Sequence, residues 1–199
     1  MKKSADIELV LASGSRYRRE LLARIVPHFR TCAPAVEETP RPGETATSLA
    51  ERLALEKALA GARQCSGALV IGSDQVAECE NGVLGKPGER AEAIAQLTSC
   101  SGRTVTFRTA VCVVDARSSR LESRSAMDLT RAVFRTLQAD EIARYVEREP
   151  AFDCAAGFKV EGLGIALFES IESGDPTALV GLPLIALCRL LRACDYPLP

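Results

Sequence analysis

The stretch Ser13-Gly14-Ser15-Arg16-Tyr17-Arg18-Arg19 gathers hydroxyls, bare amides and guanidinium groups where a helix is expected to begin. A positive helix end beside bidentate donors is the combination that phosphate recognition requires. The same residues also satisfy a plainer need, an N-cap serine followed by solvated arginines. With no G-K-[ST] ending and no G-x-G-x-x-G, the stretch is neither a P-loop nor a dinucleotide-binding turn.

Ser73-Asp74-Gln75, followed by Gly85-Lys86-Pro87, is the second candidate. An acid leaving an apolar strand can bind Mg2+ or act as a general base, and a nearby ammonium can neutralise a phosphate oxygen. An Asp that merely caps a turn reads the same way. Glu37-Glu38 lies among Pro34, Pro40, Pro42 and Gly43, where adjacent acids also suit a solvated turn. Glu38 and Asp74 together offer the oxygen ligands that a hard divalent cation prefers.

The fourth candidate runs from Asp153 to Gly162 (DCAAGFKVEG), with glycines that allow close backbone approach and with Lys159 and Glu161 expected on one side of an extended segment. A carboxylate there can accept from the N–H groups of a guanine edge. The single histidine, His28, lacks the partners that a nucleophilic triad or a zinc site needs, and is read as a surface or half-buried ring. Cys32, Cys65, Cys79, Cys100, Cys112, Cys154, Cys188 and Cys194 have no zinc spacing and no C-x-x-C pair. They are read as reduced, mostly buried thiols of a cytosolic protein.

These residues must be held by elements that the hydrophobic pattern sets out. Ile7 to Ala12 reads as a buried strand, followed by a tight turn and a helix through Leu21, Leu22 and Ile25. Phe29 to Ala33 suits a second short strand. A long helix is expected from Thr45 to about Gln64, capped by Thr47 or Ser48, and a central strand from Ala68 to Gly72 ends at Ser73. Val76 to Cys79 and Val83 to Leu84 flank Glu80-Asn81-Gly82, a strong hairpin signal that would return Lys86 toward Asp74. Further on come a helix at Glu89 to Thr98, long strands at Thr104 to Val114 and Ser123 to Phe134, and a helix at Ala139 to Glu147. A strand at Gly164 to Phe168 and a helix from Pro183 to Ala193 complete the set. Alternating strands and helices in the first half make the class α/β with a mixed sheet. No linker or repeat separates independent domains, so one domain over residues 1–199 is expected.

The charge balance of 25 Lys+Arg against 26 Asp+Glu leaves a net charge of −1, which argues against a nucleic-acid-coating or membrane-surface protein. Asp6 and Glu8 interrupt what would be the apolar part of a signal peptide, and no run approaches the roughly 20 apolar residues of a membrane span. Arginine serves nearly everywhere; beyond Lys2 and Lys3 the lysines are Lys57, Lys86 and Lys159. Either a compact ammonium is needed at those places or the choice is chance.

Taken in order, LASGSRYRRELL, APAVEETP, ERLALEKA, IGSDQVA, GKP, SGRTVTF and AAGFKVEGLGIALFESIESGDPTALVGLPL closely resemble the Maf family of nucleoside triphosphate pyrophosphatases, over nearly the whole chain. Tyr17, Gln75 and Glu161 match the positions linked to substrate choice and resemble the branch acting on 7-methyl-GTP. The resemblance implies a Maf/inosine triphosphatase-like α/β fold: a mixed central sheet flanked by helices, with two lobes around a cleft. It implies hydrolysis between the α and β phosphates, to a monophosphate and pyrophosphate. By the same resemblance Asp74 is the proton acceptor, and Ser13, Arg18, Glu38, Lys57 and Lys86 are associated with phosphate and metal binding. Glu38 and Asp74 would hold Mg2+ or Mn2+, and whether Asp74 is chiefly base or chiefly ligand stays open. A homodimer is also implied, while the charge balance and cysteine usage lead to the expectation of a cytoplasmic protein without a nucleic-acid or membrane partner. The family's link to cell-division arrest leaves a second reading, a nucleotide-sensing regulator acting through a protein partner. Arg16 departs from the family pattern, which usually has Pro there.

Overall fold

The computed structural model describes residues 7–80 and 82–199. Asn81 of the expected turn and the N-terminal residues through Asp6 lie outside them. The chain forms β1 (Leu9–Ala12), α1 (Arg16–Ala23), β2 (Arg30–Cys32), α2 (Ala46–Gln64), β3 (Leu69–Cys79), β4 (Gly82–Leu84) and α3 (Arg90–Cys100). It continues with β5 (Thr104–Asp115), β6 (Glu122–Phe134), α4 (Ala139–Arg148), β7 (Phe168–Glu172) and α5 (Leu184–Arg192). One sheet has the order β2-β1-β3-β5-β6-β7, with β4 paired to β3. β1 runs parallel to β2 and β3, while β3 with β4 and β6 with β7 are antiparallel, so the mixed sheet is as expected. No described helix is long and apolar enough to cross a membrane.

Two compact units divide the chain: one reaches up to Asp74 and adds Thr109–Asp128 and Asp175–Pro199, and the other comprises Gln75–Arg108 and Leu129–Gly174. β3, β5 and β6 each contribute residues to both. In the first unit, Leu9, Leu11, Leu69, Ile71, Val111 and Val113 join Leu21 and Leu22 of α1 and Leu187 and Leu191 of α5 in one core. Successive strand residues face opposite ways, which leaves Val70, Gly72 and Asp74 for the other face of β3. That face meets α2. A Cβ on Gly72 would lie 2.2 Å from the Ala54 carbonyl oxygen and 2.5 Å from the Ala58 nitrogen, and one on Gly61 would lie 2.9 Å from Val70. The missing side chains let α2 lie directly on the strand. Gly72→Ala is therefore expected to cost about 1–3 kcal/mol by overpacking. Urea unfolding checks this, and an unchanged midpoint would show that the helix has room to shift.

The core of the second unit includes Phe107, Phe134, Phe158 and Phe168, whose rings meet edge to face at centroid separations of 4.6 to 5.7 Å. Such pairs add to area burial when the positive ring edge meets a negative face.

Three local expectations are corrected. The strand expected from Ala68 to Gly72 and the hairpin arm expected at Val76 to Cys79 are one continuous strand, β3, whose Ala77 to Cys79 end pairs with β4; Asp74 is thus a mid-strand residue. The N-cap of α2 is Thr45, whose hydroxyl accepts from the Ser48 N–H at 3.1 Å, rather than Thr47 or Ser48. Residues Leu163–Leu167 form a 3-10 turn, and the strand begins only at Phe168. The chain there folds back on itself: a Cβ on Gly164 would stand 2.3 Å from the Lys159 carbonyl oxygen.

Candidate active site

The helix-strand contact sets Lys57 of α2 against Asp74 of β3. Lys57 Nζ lies 2.6 Å from Asp74 Oδ1 and 2.6 Å from Glu38 Oε1. Lys57 is 9% and Asp74 8% exposed, whereas the Glu38 side chain is 60% exposed, so the two carboxylates meet the ammonium from a dry side and a wet side. All three residues were expected at the site, Glu38 and Asp74 as a pair, but not that both would meet on the Lys57 ammonium.

Arg52, which sequence reasoning passed over, brings Glu38 there. Its Nε and Nη2 donate to the two oxygens of Glu44 at 2.6 and 2.9 Å, and Nη2 also donates to the Thr39 carbonyl at 3.1 Å. Nη1 donates to Glu56 at 3.1 Å and to the Glu37 carbonyl at 3.4 Å. One guanidinium of α2 thus closes the proline-rich loop over the helix. The hydrogen bonds from Arg52, and then from the Arg41 N–H, pull the Glu44 carboxyl down to about 2. The i,i+4 spacing of Arg52 and Glu56 is visible in the sequence, but the same spacing marks any ordinary surface pair.

Downstream of β1, the Ser13 hydroxyl accepts from the Ser15 N–H at 3.1 Å, and Ser15 caps α1 by accepting from the Arg18 N–H at 3.4 Å. Arg18 donates through Nε to the Gly181 carbonyl at 2.8 Å and through Nη1 to Ser13 Oγ at 3.5 Å. Burial pushes the Arg18 guanidinium below its ordinary value, while Asp74 and Glu38 pull it back up. The Gly181 carbonyl also receives Ser73 Oγ at 3.1 Å, and the same hydroxyl lies 2.8 Å from the Ala110 carbonyl. Ser73, the buried neighbour of Asp74, thereby shares an anchor with Arg18; neither Ser73 nor Gly181 had any local signal for this. Arg16 lies over Tyr17, with its guanidinium carbon 4.7 Å from the ring centroid and Nη2 donating to the phenol oxygen at 2.6 Å. One face of Tyr17 is thus covered by a cation.

In the second unit, Gln75 is half-buried, and Lys86 and Glu161 are exposed. The turn carrying Lys86 is stitched at both ends: Gly85 accepts from the Ala156 N–H at 3.3 Å, and the Gly88 N–H donates to Phe152 at 3.0 Å. Lys159 and Glu161 do not share an extended segment, because the Gly162 N–H bonds back to the Lys159 carbonyl at 3.2 Å and closes a turn. Lys159 Nζ donates to the Pro150 carbonyl at 3.3 Å, a staple to the end of α4. His28 is exposed, and all eight cysteines are free thiols. Burial pushes the Cys100 thiol up to about 11, which suits an inert core thiol.

Among the described residues no three His, Cys, Asp or Glu side chains cluster as a ready metal cage. The donor set of Glu38 and Asp74 nonetheless fits a hard cation: both are oxygens, and both reach one Nζ at 2.6 Å, so they lie no more than about twice that apart. A cation held by these two residues would leave room for water and substrate among its ligands, as Mg2+ usually requires.

Fold and site together define a mixed-sheet α/β protein with a buried lysine-carboxylate centre at a helix-strand contact. Residues 8–194 match the family model described as Maf-like protein, and the chain belongs to that family. It is similar to a protein of Xanthomonas oryzae pv. oryzae (strain MAFF 311018) named 7-methyl-GTP pyrophosphatase, with 56% identity over 96% of this chain and 98% of the relative. A Burkholderia pseudomallei (strain 1710b) protein of the same name is 52% identical over 96% of this chain and 89% of its own length. Among solved structures, a HAM1 protein from Coxiella burnetii is a loose likeness, with TM-score 0.46 and 18% identity over 64% of this chain and 73% of that one.

Proposed function

We propose that the chain hydrolyses a nucleoside triphosphate between the α and β phosphates, with 7-methyl-GTP the favoured substrate. The observation that carries this reading is the pair of carboxylates gathered on one buried ammonium, Glu38 and Asp74 on Lys57. The names of the relatives support the same chemistry. Water attacks the α phosphorus, the bridging P–O bond to the β phosphate breaks, and pyrophosphate leaves with the bridging oxygen. Lys57 Nζ holds Asp74 Oδ1, which leaves Oδ2 to take the proton from water. Mg2+ or Mn2+, held by Glu38 and Asp74, supplies charge neutralisation on the phosphate oxygens. Ser13, Arg18, Lys57 and Lys86 are assigned to the phosphates, and Tyr17, Gln75 and Glu161 to the base. The units act as one functional domain, a reading supported by matches that run along both. A homodimer belongs to the same proposal, on the family resemblance alone, and a cytoplasmic location belongs to it as well.

A nucleotide panel with separate detection of pyrophosphate and orthophosphate tests it. Pyrophosphate is expected, only with a divalent cation, and 7-methyl-GTP should exceed GTP by roughly 5- to 30-fold, the scale of a desolvated cation–π contact of about 1–2 kcal/mol. Orthophosphate release, or full activity in excess chelator, rejects the chemistry. Arg16 already lies over one face of Tyr17, so the methylated purine takes the other face or displaces the guanidinium. Tyr17→Ala should erase most of the preference, whereas Arg16→Ala should keep or raise it. An equal loss on both nucleotides in Tyr17→Ala would mean that the ring only shapes the phosphate turn.

A further inference from the structure

The segment bearing Glu161 leaves and re-enters one aromatic cluster. Phe158 and Phe168, at its two ends, touch edge to face with centroids 4.9 Å apart. Between them the loop is buckled to the last turn of α4. Buried Tyr145 accepts the Lys159 N–H at 3.1 Å and donates its hydroxyl to Glu149 Oε2 at 3.2 Å. The same Oε2 accepts the Gly164 N–H at 3.1 Å. The Glu149 carboxylate fills the space that side chains of the loop would need, since a Cβ on Gly162 would sit 2.0 Å from Oε1. Glu161 lies inside this buckle and is exposed, followed by Leu163 at 39% and Ile165 at 56% exposure. A loop with joined ends and a packed interior that turns an acid and two apolar side chains outward is built to present them.

We infer that Tyr145 and Glu149 are positioning residues that fix the loop so that Glu161 reads a base by a pair of adjacent N–H donors. The inference rests on the nucleotide reading above and adds how its base selection is set. A carboxylate only accepts, so it pairs with the neighbouring N–H groups of a guanine edge. It is repelled by the uracil edge, where two carbonyl oxygens flank a single N–H. An acid on a loose loop would lose much of this selectivity to the entropy of ordering, and the buckle removes that cost before the ligand arrives. Neither Tyr145 nor Glu149 is asked to touch the nucleotide.

Calorimetric binding of the uncleavable α,β-methylene analogues of 7-methyl-GTP and UTP to the full chain, with Mg2+ present, tests this. Tyr145→Phe keeps the packing and removes both buckle bonds of the phenol; Glu149→Ala removes the Gly164 anchor. Each is expected to weaken the 7-methyl-GTP analogue by about tenfold and leave the UTP analogue within about twofold. In a Glu161→Ala background, adding Tyr145→Phe should cost no more than about twofold further, because the residue it positions is gone. Equal weakening of both analogues, unchanged binding of both, a full additive loss in the double variant, or a wild type without base preference overturns the inference. Failure of the pyrophosphatase reading shows separately, as absence of pyrophosphate from 7-methyl-GTP, and the binding pattern still judges the loop.

Discussion

Asp74→Asn should leave the protein folded and able to bind nucleotide while kcat for pyrophosphate release falls by about 10²-fold or more, the scale of losing a positioned base. The substitution preserves shape, and the amide oxygen can still accept from Lys57 Nζ, which now lies 2.6 Å from Oδ1. The second position becomes an NH2 group that cannot take a proton from water. Single-turnover kinetics on 7-methyl-GTP, with thermal unfolding as the fold control, separates the two effects. A near-normal kcat would reduce Asp74 to scaffold. A loss confined to KM would make it a binding residue.

Lys57→Met should produce the largest loss of stability, about 3–5 kcal/mol, the usual cost of deleting one partner of a buried ion pair. Methionine matches lysine in length and in helix propensity, so the change isolates the ammonium. Most of the loss belongs to Asp74, which is 8% exposed and would keep a charge without its counterion. Glu38 contributes little because its side chain is 60% exposed and water screens it. Combining Lys57→Met with Asp74→Asn should therefore recover a large part of the loss, because no uncompensated charge stays inside. Urea unfolding of the four proteins measures the cycle. A single-variant loss below about 1 kcal/mol, or strict additivity in the double variant, would show that the contact is not an energetic unit.

Both predictions rest on a contact between residues 17 apart in the chain, and that separation marks what could be read from the sequence and what could not. The helices around Leu21 and Leu187 and the hairpin after Cys79 follow from patterns within a dozen residues: apolar periodicity, capping hydroxyls and turn glycines. The candidate residues were legible for the same reason, because chemistry-bearing side chains at turns and strand ends stand out against an apolar background. The short apolar run before Phe168 misled, since periodicity over so few residues fits a strand and a 3-10 turn equally well. Asp74 was expected at a strand end because polar Ser73-Asp74-Gln75 interrupts the apolar run and looks like a break before the hairpin, whereas β3 passes through it as one strand.

What joined those residues was decided in three dimensions. Gly72 looks like any strand glycine until Ala54 and Ala58 press against it and bring Lys57 onto Asp74. Arg18 finds the Gly181 carbonyl across 163 residues of sequence, and Arg52 selects Glu44 and two loop carbonyls. With 25 basic and 26 acidic side chains, the possible pairings are far too many for spacing to choose among. A guanidinium carries five donors and accepts nearly any oxygen within reach, so its partners are set by which backbones the packed core brings near it.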